Sequence, residues 1–132
     1  MPKLTSDQAF VLAQAFHDIS VEIGNFRFRV HQDVTPARRR QLEDLQFDVL
    51  NASTQFNALS ISLALDDLQD TLDDISAATE KMNKAIKRLK DVQKVIAIAT
   101  AAVTLGGAII SMNPGAIAAA LGGVATAVNP NS

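Results

Sequence analysis

The last 38 residues, 95–132, contain no Asp, Glu, Lys, Arg or His. No other feature of the chain restricts its fold as strongly. A helical stretch with no charged face must be covered, either by the rest of the protein or by lipid. The stretch also repeats itself. Leu105-Gly106-Gly107, five mostly apolar residues and Asn113-Pro114 return sixteen positions later as Leu121-Gly122-Gly123, five residues and Asn129-Pro130. Asn113-Pro114-Gly115 predicts a break, because Asn tolerates turn geometry and Pro cannot continue a helix. The 18 residues of 95–112 would span about 27 Å as a helix, close to the thickness of a bilayer's hydrocarbon core. Residues 116–128 can form a second helix of about 20 Å, short for a crossing. The expected product is an apolar helical hairpin, in which Gly106, Gly107, Gly122 and Gly123 allow close backbone approach.

The preceding chain has a different texture. Residues 5–8, Thr5-Ser6-Asp7-Gln8, read as a capping box. A seam follows at Leu12, Phe16, Ile19, Ile23, Phe26 and Val30, with spacings alternating between 4 and 3. That is the heptad period of a helix packed along near-parallel or antiparallel neighbours. Gly24 either weakens this helix or marks a close approach. After a turn at residues 31–36, Thr35 and Pro36 start a second helix as N-cap and first helical residue. Its seam is Leu42, Leu45, Val49, Ala52, Phe56, Leu59 and Leu63. A third seam runs in a new phase through Leu65, Leu68, Leu72, Ile75, Thr79, Met82, Ile86, Leu89, Gln93 and Ile96.

The change of phase leaves two possibilities. The chain reverses within residues 57–67, with Asp66 or Asp67 capping a new helix, or one helix continues with a local slip. The third helix is expected to run on into residues 95–112. With no Trp, Tyr or Cys and little Gly or Pro before residue 105, the expectation is an all-α protein. The expected form is an elongated antiparallel bundle of three long heptad-patterned helices plus a short C-terminal helix. Residues 1–132 would make a single helical domain, amphipathic over 1–94 and uncharged over 95–132.

Candidate chemistry is sparse. Absence of Cys excludes disulfides, thiolate metal sites and Cys nucleophiles. His17 and His31 lie in no recognisable motif, and neither Leu-Gly-Gly begins a phosphate loop. The adjacent pairs Asp66/Asp67 and Asp73/Asp74 point in different directions on a helix. No enzyme activity, metal, cofactor or small-molecule substrate is expected. Arg38-Arg39-Arg40 is offset by acids and has no stacking aromatics, so nucleic acid is not expected either. Residues 1–20 carry acids within an amphipathic pattern and do not read as a signal peptide. The expectation is a chain that stays in the cytoplasm, free or associated with a membrane, or leaves by a non-Sec route.

Charge is blocked along the third seam. Asp66, Asp67, Asp70, Asp73, Asp74 and Glu80 precede Lys81, Lys84, Lys87, Arg88, Lys90 and Lys94, with Asp91 the one acid among the bases. Acid early and base late complements a helix dipole. The six cations also form a collar directly before the uncharged segment, where they would suit anionic lipid headgroups.

The stretch from Lys94-Val95-Ile96-Ala97-Ile98-Ala99 through Asn113-Pro114-Gly115-Ala116-Ile117-Ala118-Ala119-Ala120 resembles the membrane-inserting part of α-helical pore-forming toxins of the cytolysin and haemolytic-enterotoxin type. Across residues 94–128 the resemblance implies self-association and bilayer permeabilisation without a catalytic residue. On this expectation the membrane or oligomer hairpin comprises Val95, Ile96, Ile98, Val103, Leu105, Gly106, Gly107, Ile109, Ile110, Pro114, Ile117, Leu121, Gly122, Gly123 and Val124. The protein would leak dye from anionic liposomes, and Ile109→Asp would stop leakage in a chain that still folds. The alternative is a soluble homo-oligomeric bundle for assembly or partner binding, with the hairpin as its buried core.

Overall fold

The computed structural model describes residues 6–59, 68–111 and 113–129. Among these the chain is all-α: five α-helices and one short 3-10 turn, with no strand. The helices are α1 (Ser6–Arg29), α2 (Pro36–Leu59), α3 (Leu68–Arg88), α4 (Val92–Ser111) and α5 (Pro114–Ala127).

The first two helices form an antiparallel pair. Near one end the Ser53 hydroxyl donates to the Ala13 carbonyl at 2.6 Å. Near the other, Arg27 donates to Gln46 at 2.7 Å and pairs with Glu43 at 3.0 Å. Every seam residue of α1 is buried, and so are Leu42, Val49, Ala52 and Phe56 of α2, with Leu45 packed at the edge. Thr35 does cap α2: its hydroxyl accepts from the Arg38 amide at 3.2 Å, satisfying one orphan donor of the first turn. At Gly24 a Cβ would stand 2.8 Å from the side-chain amide nitrogen of Gln46, the end of a flexible side chain, with no backbone atom of α2 among its nearest neighbours.

The third helix runs parallel to α1. Leu72 shares a cleft with Leu12 at one end, while at the other Arg29 donates to the Ile86 carbonyl at 3.0 Å. Since α2 is antiparallel and α3 parallel to α1, the chain reverses between Leu59 and Leu68. Residues 60–67, including the proposed caps Asp66 and Asp67, lie outside the described residues, as does Thr5 of the first capping box.

The expected run of one helix from the third seam into the uncharged segment is not found. Helix α3 ends at Arg88 and α4 begins at Val92. The Asp91 carboxylate accepts from the Gln93 and Lys94 amides at 2.9 and 3.4 Å, which makes it the N-cap of α4. From Leu72 the heptad seam accordingly stays buried through Ile86 and is interrupted at the bend, with Leu89 half-buried and Gln93 exposed, before Ile96 is buried within α4. Asp91, which in the sequence only interrupts a basic run, is the residue that lets the chain turn.

From that bend α4 returns along α2. A Cβ on Gly106 would meet the Ala52 Cβ at 3.0 Å and the Phe16 ring at 3.4 Å. There the Phe16 and Phe56 rings pack edge-to-face, centroids 4.9 Å apart. The break before α5 falls where it was expected, and Asn113 also caps the new helix: its Oδ1 accepts from the Gly115 and Ala116 amides at 3.0 and 3.2 Å, with Pro114 following. Helix α5 doubles back along α4 until its end reaches the basic end of α3.

Candidate functional site: the uncharged hairpin and its basic neighbour

The hairpin α4–α5 is apolar throughout, but not uniformly so. Its large side chains turn inward. Val95, Ile96, Ile98, Leu105, Ile109, Ile117 and Val124 are buried, and Val103, Ile110 and Leu121 are partly buried against the same core. Its outer face is built of small residues. Ala97, Thr100, Thr104, Gly107 and Ser111 of α4 are exposed, as are Ala118, Ala119, Gly122 and Gly123 of α5. Between the two helices runs an open groove of about 760 Å³ whose lining contains only Ala, Gly, Ser and Thr. The threonine hydroxyls there turn back on their own helix. Thr100 donates to the Ile96 carbonyl at 2.7 Å and Thr104 to the Thr100 carbonyl at 3.0 Å. The surface therefore offers few free polar groups and no charge.

This sorting by size corrects two expectations. Of the four glycines in the Leu-Gly-Gly repeats, only Gly106 serves a close approach. A Cβ on Gly107, Gly122 or Gly123 would meet nothing within 4 Å, because all three face outward. Ile109 is 0% exposed, so Ile109→Asp would bury a carboxylate in the core. That variant would unfold the protein rather than isolate a membrane function. Pro114, expected within the break, is instead the first residue of α5, which starts two residues earlier than expected.

Four of the six collar cations gather in one place. Lys81, Lys84, Lys87 and Arg88 line an open groove of about 600 Å³ with Ala125, Val128 and Asn129 from the end of α5. The other two, Lys90 and Lys94, sit at the bend between α3 and α4. The arrangement is thus a basic flank beside the hairpin's open end, not a ring around one continuous helix. Its ion pairs are weak ones. Lys84 pairs with Glu80 at 3.0 Å, both well exposed, and Lys87 lies 3.9 Å from Glu22. The exposed Lys84–Glu80 pair contributes at most about 1 kcal/mol, and Lys81 and Arg88 add further positive charge to the flank.

Among the described residues one helix, Val92–Ser111, is long and apolar enough to cross a membrane, and half of its apolar window is buried inside the protein. Among the same residues no three His, Asp or Glu side chains come together in a way that could hold a metal ion. No family model, curated protein or solved structure matches the chain.

Sequence reasoning missed three features of this region: the cap at Asp91, the outward face of small residues and the side on which the collar gathers. The first had a signal, an isolated Asp within a run of bases. The other two depend on which way each helix is rotated in the bundle.

Proposed function

We propose that this is a membrane-active, self-associating helical protein that acts by insertion rather than catalysis. Its amphipathic helices would store the α4–α5 hairpin as part of a bundle in water and release it to a lipid bilayer, in the manner of α-helical pore-forming toxins. The observation that carries this reading is the charge-free outer face of the hairpin, exposed to water and flanked by Lys81, Lys84, Lys87 and Arg88. Exposed faces of soluble helices ordinarily carry charge. Here nothing charged would have to be removed from water when the face meets a bilayer, while the cations would meet anionic headgroups at about 1 kcal/mol each.

Insertion is conditional in this scheme. Val95, Ile98, Leu105, Ile109, Ile117 and Val124 lie in the core, each contributing roughly 1.5–3 kcal/mol by burial. That contribution is lost when the hairpin swings out and is recovered only if lipid receives the same side chains. The test is flotation and dye leakage with anionic and neutral liposomes. The wild type is expected to leak dye from anionic vesicles. Thr104→Lys and Ala118→Lys, both on the outer face, should fold normally and leak little. Intact vesicles at micromolar protein, or equal leakage by both lysine variants, would refute the proposal.

A second reading is a soluble homo-oligomeric assembly module. It is favoured by the lining of the α4–α5 groove, where no side chain is larger than Thr. Such a surface suits close packing of another helix better than contact with lipid tails.

A further inference from the structure

Half of the chain's six phenylalanines are buried: Phe16, Phe26 and Phe56. The other three, Phe10, Phe28 and Phe47, are 60%, 87% and 64% exposed. Scattered exposed apolar residues need no explanation, but these are not all scattered. Phe10, Val21 and Phe28 are spaced by 11 and 7 residues, close to three and two helical turns, so they stand in line along α1. Ile19 and the rest of the core seam lie on the opposite side of the helix. Between the aligned residues the line carries Gln14, His17 and Asn25; Asp18 borders it, accepting from Gln14 at 3.1 Å, and Phe28 shares a cleft with Arg27 and Arg39. The line forms a ridge of exposed apolar side chains about 27 Å long, with charges only along its borders.

The α4–α5 groove is its counterpart. It is concave, lined by nothing larger than Thr, free of charge, and about 760 Å³ in volume. Along α4 it extends from Ala97 to Ser111, about 21 Å. Ridge and groove cannot meet within one chain. Helix α1 packs on α2 and α3 through its seam, and the hairpin packs on α2, so the ridge faces away from the groove. We propose that the Phe10–Val21–Phe28 ridge of one copy seats in the α4–α5 groove of a second copy. The inference rests on the self-association half of the function proposed above and names its contact.

The occupant follows from size and charge. Each phenyl side chain brings roughly 150–250 Å² of apolar surface, and the groove has the missing volume that such side chains require. The groove is lined without any charge, so it sets no like charge against the Asp18, Arg27 and Arg39 side chains that border the ridge. The two are different patches on opposite sides of the molecule, so the contact is head-to-tail. Head-to-tail contacts propagate to rings or filaments instead of stopping at a two-fold dimer.

That polarity gives a decisive experiment, run in lipid-free buffer by sedimentation velocity. The double variant Phe10→Gln/Phe28→Gln removes the ridge and leaves the groove. The double variant Gly107→Glu/Ala119→Glu blocks the groove and leaves the ridge. All four positions are exposed, and circular dichroism with urea unfolding verifies that each variant folds. The wild type is expected to form concentration-dependent higher assemblies. Each variant alone should be monomeric, with association weakened at least about a hundredfold by loss of two apolar anchors.

An equimolar mixture of the two variants should form a dimer and nothing larger, since one ridge and one groove remain. A wild type that stays monomeric, or a mixture that stays monomeric while the wild type assembles, overturns the proposal. So does a ridge variant that still assembles like the wild type. Dye leakage measured on the same proteins separates the two claims. Pairing without wild-type leakage removes the membrane function and leaves the contact. Leakage without pairing does the reverse.

Discussion

Gly106 and Gly107 are adjacent and chemically identical, yet the structure assigns them opposite responses to the same substitution. A helical Gly→Ala change gains roughly 0.8–1 kcal/mol from backbone propensity alone. At Gly107 nothing opposes that gain, because a Cβ would meet no atom within 4 Å. Gly107→Ala is therefore expected to stabilise the protein by about 1 kcal/mol, or about 3–5 °C in Tm for a chain of this length.

At Gly106 the new Cβ would stand 3.0 Å from the Ala52 Cβ and 3.4 Å from the Phe16 ring. Neither neighbour can rotate away. One is a methyl on the α2 backbone, and the other is held edge-to-face against Phe56. Relief requires α4 to move off α2 by several tenths of an ångström, and overpacking of this kind costs about 1–3 kcal/mol. Gly106→Ala should thus be neutral to about 2 kcal/mol destabilising, leaving the two variants roughly 1–3 kcal/mol apart.

A third variant isolates the cause. Ala52→Gly removes the opposing methyl, so Gly106→Ala should be tolerated better in that background than in the wild type. The expected coupling is about 1 kcal/mol or more in a double-mutant cycle. The assay is urea unfolding followed by far-ultraviolet circular dichroism, with all four proteins at one concentration. If Gly106→Ala raises stability as much as Gly107→Ala, α4 does not pack on α2 through this glycine. The inward and outward sorting of the hairpin would then be wrong.

Two further substitutions probe the frame that holds the hairpin. Asp91→Ala removes the acceptor for the Gln93 and Lys94 amides and should cost about 0.5–2 kcal/mol in urea unfolding. Asp91→Asn should retain most of that stability, and an unchanged Asp91→Ala would refute the capping role. Phe16→Ala empties a site shared by α1, α2 and α4 and should cost about 3–5 kcal/mol, whereas Phe28→Ala, on the same helix but exposed, should change stability by less than about 0.5 kcal/mol. Comparable losses from the two would contradict the rotation of α1.

The amphipathic helices were readable because their apolar spacing is regular. Six of six α1 seam positions are buried, and the α3 seam holds until the helix itself stops. The stop was hidden because Leu89 and Gln93 continue the spacing across the bend, and periodicity does not register a cap. The candidate site was readable as a segment and not as a surface. A stretch of Ala, Gly, Ile and Val shows no face to a pattern search, since no charge marks the outside.

The sequence by itself determined that the protein is helical, that the first two helices carry heptad seams, that Thr35 and Pro36 start a helix, that the chain breaks at Asn113-Pro114, and that residues 95–132 carry no charge. Those features follow from local chemistry: side-chain caps, proline geometry and the 3.6-residue period. Only the tertiary structure decided that α3 and α4 are separate helices and that the basic side chains gather beside the end of α5. It alone turned Ile109 and Gly106 inward while leaving Gly107, Gly122 and Gly123 outward. The physical reason is that these outcomes depend on how each helix rotates about its axis. That rotation is set by how large and small side chains fit against neighbours distant in the chain.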